Sequence, residues 1–316
     1  GSPHRPEQAT EFHSYRYALE TIMITQTLAR GANTLVRATA VAAILFGFSF
    51  TAGAVAADGG IVAIGGSITE IVYALGEEDQ LIARDTTSLF PPEALKLPDV
   101  GYIRALSPEG VLSVNPKMIL TLEGAGPPEA LDVLQKSGLT IITVPENYNR
   151  AGIVEKIRIV GKALGVEEKA EQLAQQVEAD LDAVQKDAAS HRQSSRVLFV
   201  LSLQGGKVMA AGTGTSAAGI IEMAGGENAI SGVAGYKQIS DEAVINDAPD
   251  VILLIDRNSN HSTDDDSVLT HAALGSTPAA KAGKVVRMNS LYLLGFGPRT
   301  AEAVRELSNA ITGKAH

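Results

Sequence analysis

The sequence predicts an α/β protein: two Rossmann-like lobes of mostly parallel sheet, joined by one long α-helix, with a ligand cleft between them. Three observations carry this expectation. From Gly60 onward, short apolar runs alternate with helical stretches, the pattern of parallel strands wrapped by helices. The segment Gly165–Ser190 then continues for about seven turns with no Gly or Pro after its first residue. Finally, Leu106–Leu120 aligns without a gap on Ile239–Leu253, with Ser, Glu, Val, Pro, Ile and Leu recurring at a constant offset of 133 residues.

The elements come in chain order. Residues 1–22 are set aside, with Met23 as a natural start. Arg30 and Arg37 precede the apolar run Ala38–Ala57, which closes on Ala54-Val55-Ala56. Basic flank, apolar core and small-residue ending are the parts of an export signal, so residues 1–57 read as a leader cleaved near Ala56 or Ala57. The run also has the length of a membrane span, and an uncleaved anchor is the alternative. The chain contains no cysteine. That excludes disulfides, thiolate metal sites and a cysteine-linked lipid anchor, so the expected location is the free periplasm.

Ile61–Ile64 reads as a buried strand, followed by Gly65-Gly66 and by Ser67-Ile-Thr-Glu70, a capping box opening a helix that ends at Gly76. Lys117–Leu122, Thr140–Val144, Arg196–Leu203, Val251–Ile255 and Val285–Met288 are further strand candidates. In the long helix, Leu173, Val177, Leu181 and Val184 make one apolar stripe on an otherwise solvated surface. The expected division is an amino-terminal lobe at 58–164, the connecting helix at 165–190 and a carboxyl-terminal lobe at 191–316. In both copies of the repeat a Ser caps a helix and a Glu occupies its first turn. A Pro then ends the helix before an apolar strand.

With 45% apolar and 20% charged residues the chain can build a packed core, and its net charge of −10 argues against a nucleic-acid partner. No nucleophile elbow, zinc-protease helix or phosphate-binding loop is present, so nothing points to an enzyme. The Asp264-Asp-Asp266 run between His261 and His271 reads as a solvated loop.

Tyr102 and Arg104 attract attention because side chains two apart on a strand-like segment project to one side. A guanidinium beside the phenol favours its ionised form, and tyrosinate is a known axial ligand of haem iron. From spacing alone, a loop Tyr packing its ring on the lobe surface beside a solvated Arg is the better-supported alternative. Tyr148, Tyr236 and Tyr292 are assigned to loops, where they could face a cleft.

The stretches GGSITEIVYALG (65–76), PDVGYIRALSPEGVLSVNPKMIL (98–120), AAGTGTSAAGIIEMAGGENAI (210–230), GYKQISDEAVINDAPDVIL (235–253) and LLGFGPRTAEAV (293–304) resemble the periplasmic haem-binding proteins of bacterial haem ABC importers. The similarity extends from Gly60 to the carboxyl terminus, and its Gly-Tyr-x-Arg element is the part specific to haem. The resemblance implies Tyr102 as axial iron ligand, with Arg104 as phenolate partner or propionate contact. Arg257 would reach Tyr102 or a propionate. Glu109 and Glu242, one per lobe, would dock on arginines of the inner-membrane permease. It further implies haem as the transported ligand, an outer-membrane haem receptor upstream, and a monomer. No His lies near Leu203–Lys207, so iron held by Tyr alone is expected. The same fold carrying a siderophore, cobalamin or another metal complex is the main alternative, and an exported α/β enzyme the more distant one.

Overall fold

A computed structural model describes residues 59–190, 195–256 and 264–313. The proposed export signal, His191, His261 and Arg257 lie outside the described residues. Among the described residues, no helix is long and apolar enough to cross a membrane.

The first lobe is a four-stranded parallel sheet in the order β2-β1-β3-β4, built from β1 (Ile61–Ile64), β2 (Leu81–Arg84), β3 (Met118–Leu122) and β4 (Thr140–Val144). Helices α1 (Gly66–Ala74), α2 (Pro108–Leu112), α3 (Pro128–Lys136) and α4 (Arg150–Leu164) connect or follow these strands. The long helix α5 (Glu167–Ser190) leads to the second lobe. There β5 (Arg196–Gln204), β9 (Val251–Asp256) and β10 (Val285–Asn289) pair in parallel. β6 (Lys207–Ala211) and β8 (Tyr236–Ile239) extend the same sheet antiparallel, and the short β7 (Glu227–Asn228) pairs with β5. The remaining helices are α6 (Ser216–Met223), α7 (Asp241–Asp247), α8 (Asp265–Thr270), α9 (Pro278–Lys281), α10 (Ser290–Leu294) and α11 (Thr300–Thr312).

The repeat is structural as well as sequential. α2 leads into β3 as α7 leads into β9, and Ser107 and Ser240 cap the two helices through the amides of Gly110 and Ala243. Asn115 and Ala248, offset by the same 133 residues, both take left-handed backbone (φ +50° and +42°) directly before the matching Pro116 and Pro249. Each copy therefore turns out of its helix in the same strained way, where an L side chain meets its own carbonyl.

Two expectations change. Helix α5 does more than connect: Ala170, Ala174, Val177, Leu181, Val184 and Ala188 are buried as it packs on α4 and α11. One apolar cluster includes Ile61, Ile68 and Leu120 from the side of the first sheet together with Phe199, Leu253 and Leu307 from the side of the second, so the lobes share a core. The capping box is also absent. α1 starts at Gly66 behind Gly65 (φ +117°), and no side chain caps it. Ser67 sits inside the first turn and accepts a hydrogen bond from Lys156 Nζ at 3.1 Å. Glu70 turns away to bind Arg299 of the second lobe, Nε–Oε1 3.0 Å and Nη2–Oε2 2.9 Å.

Candidate functional site

The loops at the carboxyl ends of the first sheet's parallel strands build a cleft of about 600 Å³, lined by Arg104, Glu123–Pro128, Glu146 and Tyr148. This is where open parallel sheets bind ligands.

The Tyr102 segment is held from two directions. Asp99 accepts from Arg84 Nη1 (2.8 Å), Thr86 Oγ1 (3.1 Å) and the Gly101 amide (2.9 Å), which fastens residues 98–101 alongside β2. Gly101 takes φ +107°, a conformation that a side chain at this position would strain. The chain then turns: the Ala105 amide donates to the Tyr102 carbonyl at 2.8 Å. The Gly126 amide reaches the Ile103 carbonyl (2.9 Å), and Leu106 donates back to Gly126 (2.9 Å). The strand-like register expected for Tyr102 and Arg104 is thus replaced by a tight turn, and the two residues do not share a strand face. Arg104 lines the cleft. The Tyr102 ring stands 47% exposed two residues ahead of it, and among the described residues no hydrogen bond reaches its hydroxyl.

Tyr148 lines the cleft beside Arg104 and packs edge-on against Phe296 at 5.2 Å. Burial lifts its phenol above the ordinary value; Glu146 and Tyr236 push the same way, and Arg104 opposes them. Tyr236 lies in β8 rather than a loop, its hydroxyl 3.0 Å from Ser216 Oγ and its ring against Phe199. Tyr292 lies in α10, 5.2 Å from the Arg299 guanidinium.

Glu123 and Glu146 are wall residues that the sequence reading missed. Each stands one or two positions past a strand's carboxyl end, which is the signal that could have found them. Glu146 pairs with Lys156, which is fully buried. Burial depresses the Lys156 ammonium, while Glu146 partly restores it. With Ala125, Pro127 and Pro128 beside them, Arg104, Glu123 and Glu146 make an apolar wall edged by charges of both signs.

Glu109 and Glu242 sit in the first turns of α2 and α7, both exposed. Neither forms a salt bridge among the described residues. His271 is the one histidine among the described residues, and it is used structurally: Nδ1 accepts from the Ala273 and Leu274 amides, and Nε2 lies 2.9 Å from the Gly206 carbonyl. The acidic run Asp264–Asp266 caps α8 and binds Arg287. No group of three metal-binding side chains occurs among the described residues.

Comparison with known proteins places this geometry in a family. The chain is similar to the periplasmic heme-binding protein BhuT solved with two hemes, at 36% identity over 80% of this chain and 98% of that one, with a TM-score of 0.77. It is equally similar to the periplasmic heme-binding protein RhuT from Roseiflexus sp. RS-1, at 35% identity over 82% and 100%, also with a TM-score of 0.77. Among curated relatives, a vitamin B12-binding protein of Vibrio parahaemolyticus is 25% identical over 78% of this chain and 87% of its own length. The family model described as periplasmic binding protein matches residues 61–292. The chain is accordingly a ligand-binding protein of exported type and not an enzyme, and it belongs to the periplasmic binding protein family.

Proposed function

We propose that the protein captures haem in the cleft between its lobes, against the wall that the first lobe supplies, through Tyr102 as axial iron ligand, and delivers it to the permease of an ABC importer. The observation that carries this reading is the Gly101–Ala105 turn. It is fastened by Asp99 and Gly126, presents a phenol free of hydrogen bonds among the described residues, and sets Arg104 in the cleft wall. The similarity to heme-binding structures at 35–36% identity supports the same ligand.

Arg104, in the cleft wall, serves as anchor for a propionate or as partner to the phenolate. Arg257 completes the ligand set from beyond β9. Glu109 and Glu242, exposed on matched helices, dock the two lobes on permease arginines. The protein reaches the periplasm through the signal at 38–57, without a lipid anchor.

Hemin titration followed by absorbance tests the ligand. Wild type develops a Soret band with tyrosinate-to-iron charge transfer, Tyr102→Phe loses the charge-transfer feature, and Arg104→Ala weakens binding. An unchanged spectrum in Tyr102→Phe removes Tyr102 as ligand. The second reading, a cobalamin, rests on the vitamin B12-binding relative. Titration with cyanocobalamin under the same conditions decides between them.

A further inference from the structure

The acidic docking residues have apolar companions. Leu112 and Ile245 are among the exposed large apolar side chains, at 38% and 53%. They stand three residues after Glu109 and Glu242, and they are offset from each other by the same 133 residues. Three residues along a helix is one face. The residue just before each is the opposite case: Val111 and Val244 are wholly buried. Each of the two short helices therefore spends one valine on the core and leaves the next apolar residue partly exposed.

A single exposed Leu or Ile needs no explanation. The duplication does, because neither side chain belongs to an apolar core cluster. We infer that Glu109 with Leu112, and Glu242 with Ile245, form two equivalent two-point contacts for a partner with two matching sockets, each a cation beside an apolar pocket. A permease built of two identical or homologous halves is the partner of that chemistry. The carboxylates, without a salt bridge among the described residues, supply the charge complementarity, and the constant offset supplies the match to a two-fold assembly. This rests on the docking role given under Proposed function and adds an apolar anchor to each contact. The apolar residue contributes to the lifetime of the complex once water is excluded, while the exposed carboxylate mainly guides encounter.

The test measures binding of haem-loaded protein to the cognate permease–ATPase complex in nanodiscs, by surface plasmon resonance. Leu112→Ser and Ile245→Ser are expected to weaken binding about tenfold each, and about a hundredfold together, because the sites share no contacts. Most of the loss should appear in the dissociation rate. Both variants keep Val111 and Val244, so hemin affinity and melting temperature stay at wild-type values. If the double Ser variant binds like wild type while Glu109→Ala with Glu242→Ala does not, the apolar anchors are refuted and the docking role stands. If the double Ala variant also binds like wild type, the docking role itself fails. Because the chain contains no cysteine, Leu112→Cys and Ile245→Cys each take a single spin label. Both labels should be immobilised by the permease complex, and immobilisation of only one overturns the two-socket arrangement.

Discussion

Replacing Arg299 by Met should cost about 3 kcal/mol of stability, because it strands a buried carboxylate at the junction of the lobes. Glu70 has a side chain only 4% exposed, and Arg299 is 19% exposed. The guanidinium grips both carboxylate oxygens, at 3.0 and 2.9 Å, and stacks 3.5 Å over the Phe90 ring. Removing one member of such a pair costs roughly 3–5 kcal/mol, and the lost ring contact adds about 1 kcal/mol. Two features reduce the sum. The Arg299 amide still donates to Glu70 at 3.3 Å, and the buried Lys156 ammonium shares an electrostatic interaction with Glu70. In a protein of this size a loss of about 3 kcal/mol lowers the melting temperature by roughly 6–12 °C. The chain has no tryptophan, so the transition is followed by far-UV circular dichroism at neutral pH, in heat and in urea. Adding Glu70→Gln to Arg299→Met removes the stranded charge and should recover at least half of the loss, a coupling that separates the pair from side-chain packing. A single variant within about 1 kcal/mol of wild type, or a double variant that only adds the two losses, would refute a lobe junction held by this ion pair.

Gly219→Ala should destabilise by about 1–3 kcal/mol and weaken hemin binding. Its new Cβ would stand 2.5 Å from the carbonyl oxygen of Tyr148, a cleft residue; unchanged melting and affinity would show that the lobes yield there freely. Ala248→Gly should stabilise the fold by about 0.5–1 kcal/mol net of the entropy of Gly, seen as a higher urea midpoint, because Ala248 takes φ +42°. Lys156 carries a pH signature. Its folded ammonium is depressed below the ordinary value of 10.5, so between the depressed value and the ordinary one the unfolded chain binds more protons and stability rises with pH. Lys156→Met lacks that rise; the stability difference should shift in favour of wild type as pH climbs toward 10.5, and a flat difference rules out the depressed group.

Much of the architecture is legible because buried parallel strands are continuous apolar runs bounded by turn residues. Ile61–Ile64 and Thr140–Val144 are bounded as expected, and the other expected strands differ from the observed ones by a residue at one end. The unread strands, the two-residue Glu227–Asn228 among them, are those without such a run. Leu81–Arg84 is four residues ending on a charge, Lys207–Ala211 is largely Ala and Met, and Tyr236–Ile239 is a half-exposed antiparallel edge. The capping box fails for a different reason. Ser67 and Glu70 have the right spacing, but tertiary partners, Lys156 and Arg299, take both side chains. Those partners lie 89 and 229 residues away, beyond any local pattern.

The two Gly-Tyr phrases show how one pattern can serve two ends. Gly101 and Gly235 both take positive φ, so each tyrosine leaves a glycine turn in a similar way. Their continuations differ. Tyr236 enters β8, pairs with Ala211 and directs its hydroxyl to Ser216 inside the second lobe. Tyr102 enters a turn tied to the loop after β3, with no strand to absorb it and a ring left 47% exposed. The helices downstream stay equivalent down to Val111 and Val244, Leu112 and Ile245, and the left-handed residues before Pro116 and Pro249. The duplication is therefore kept on the helix side of each lobe, where the proposed two-fold partner would meet two matching surfaces. It is lost on the tyrosine side, where the proposed iron ligation would use a single phenol.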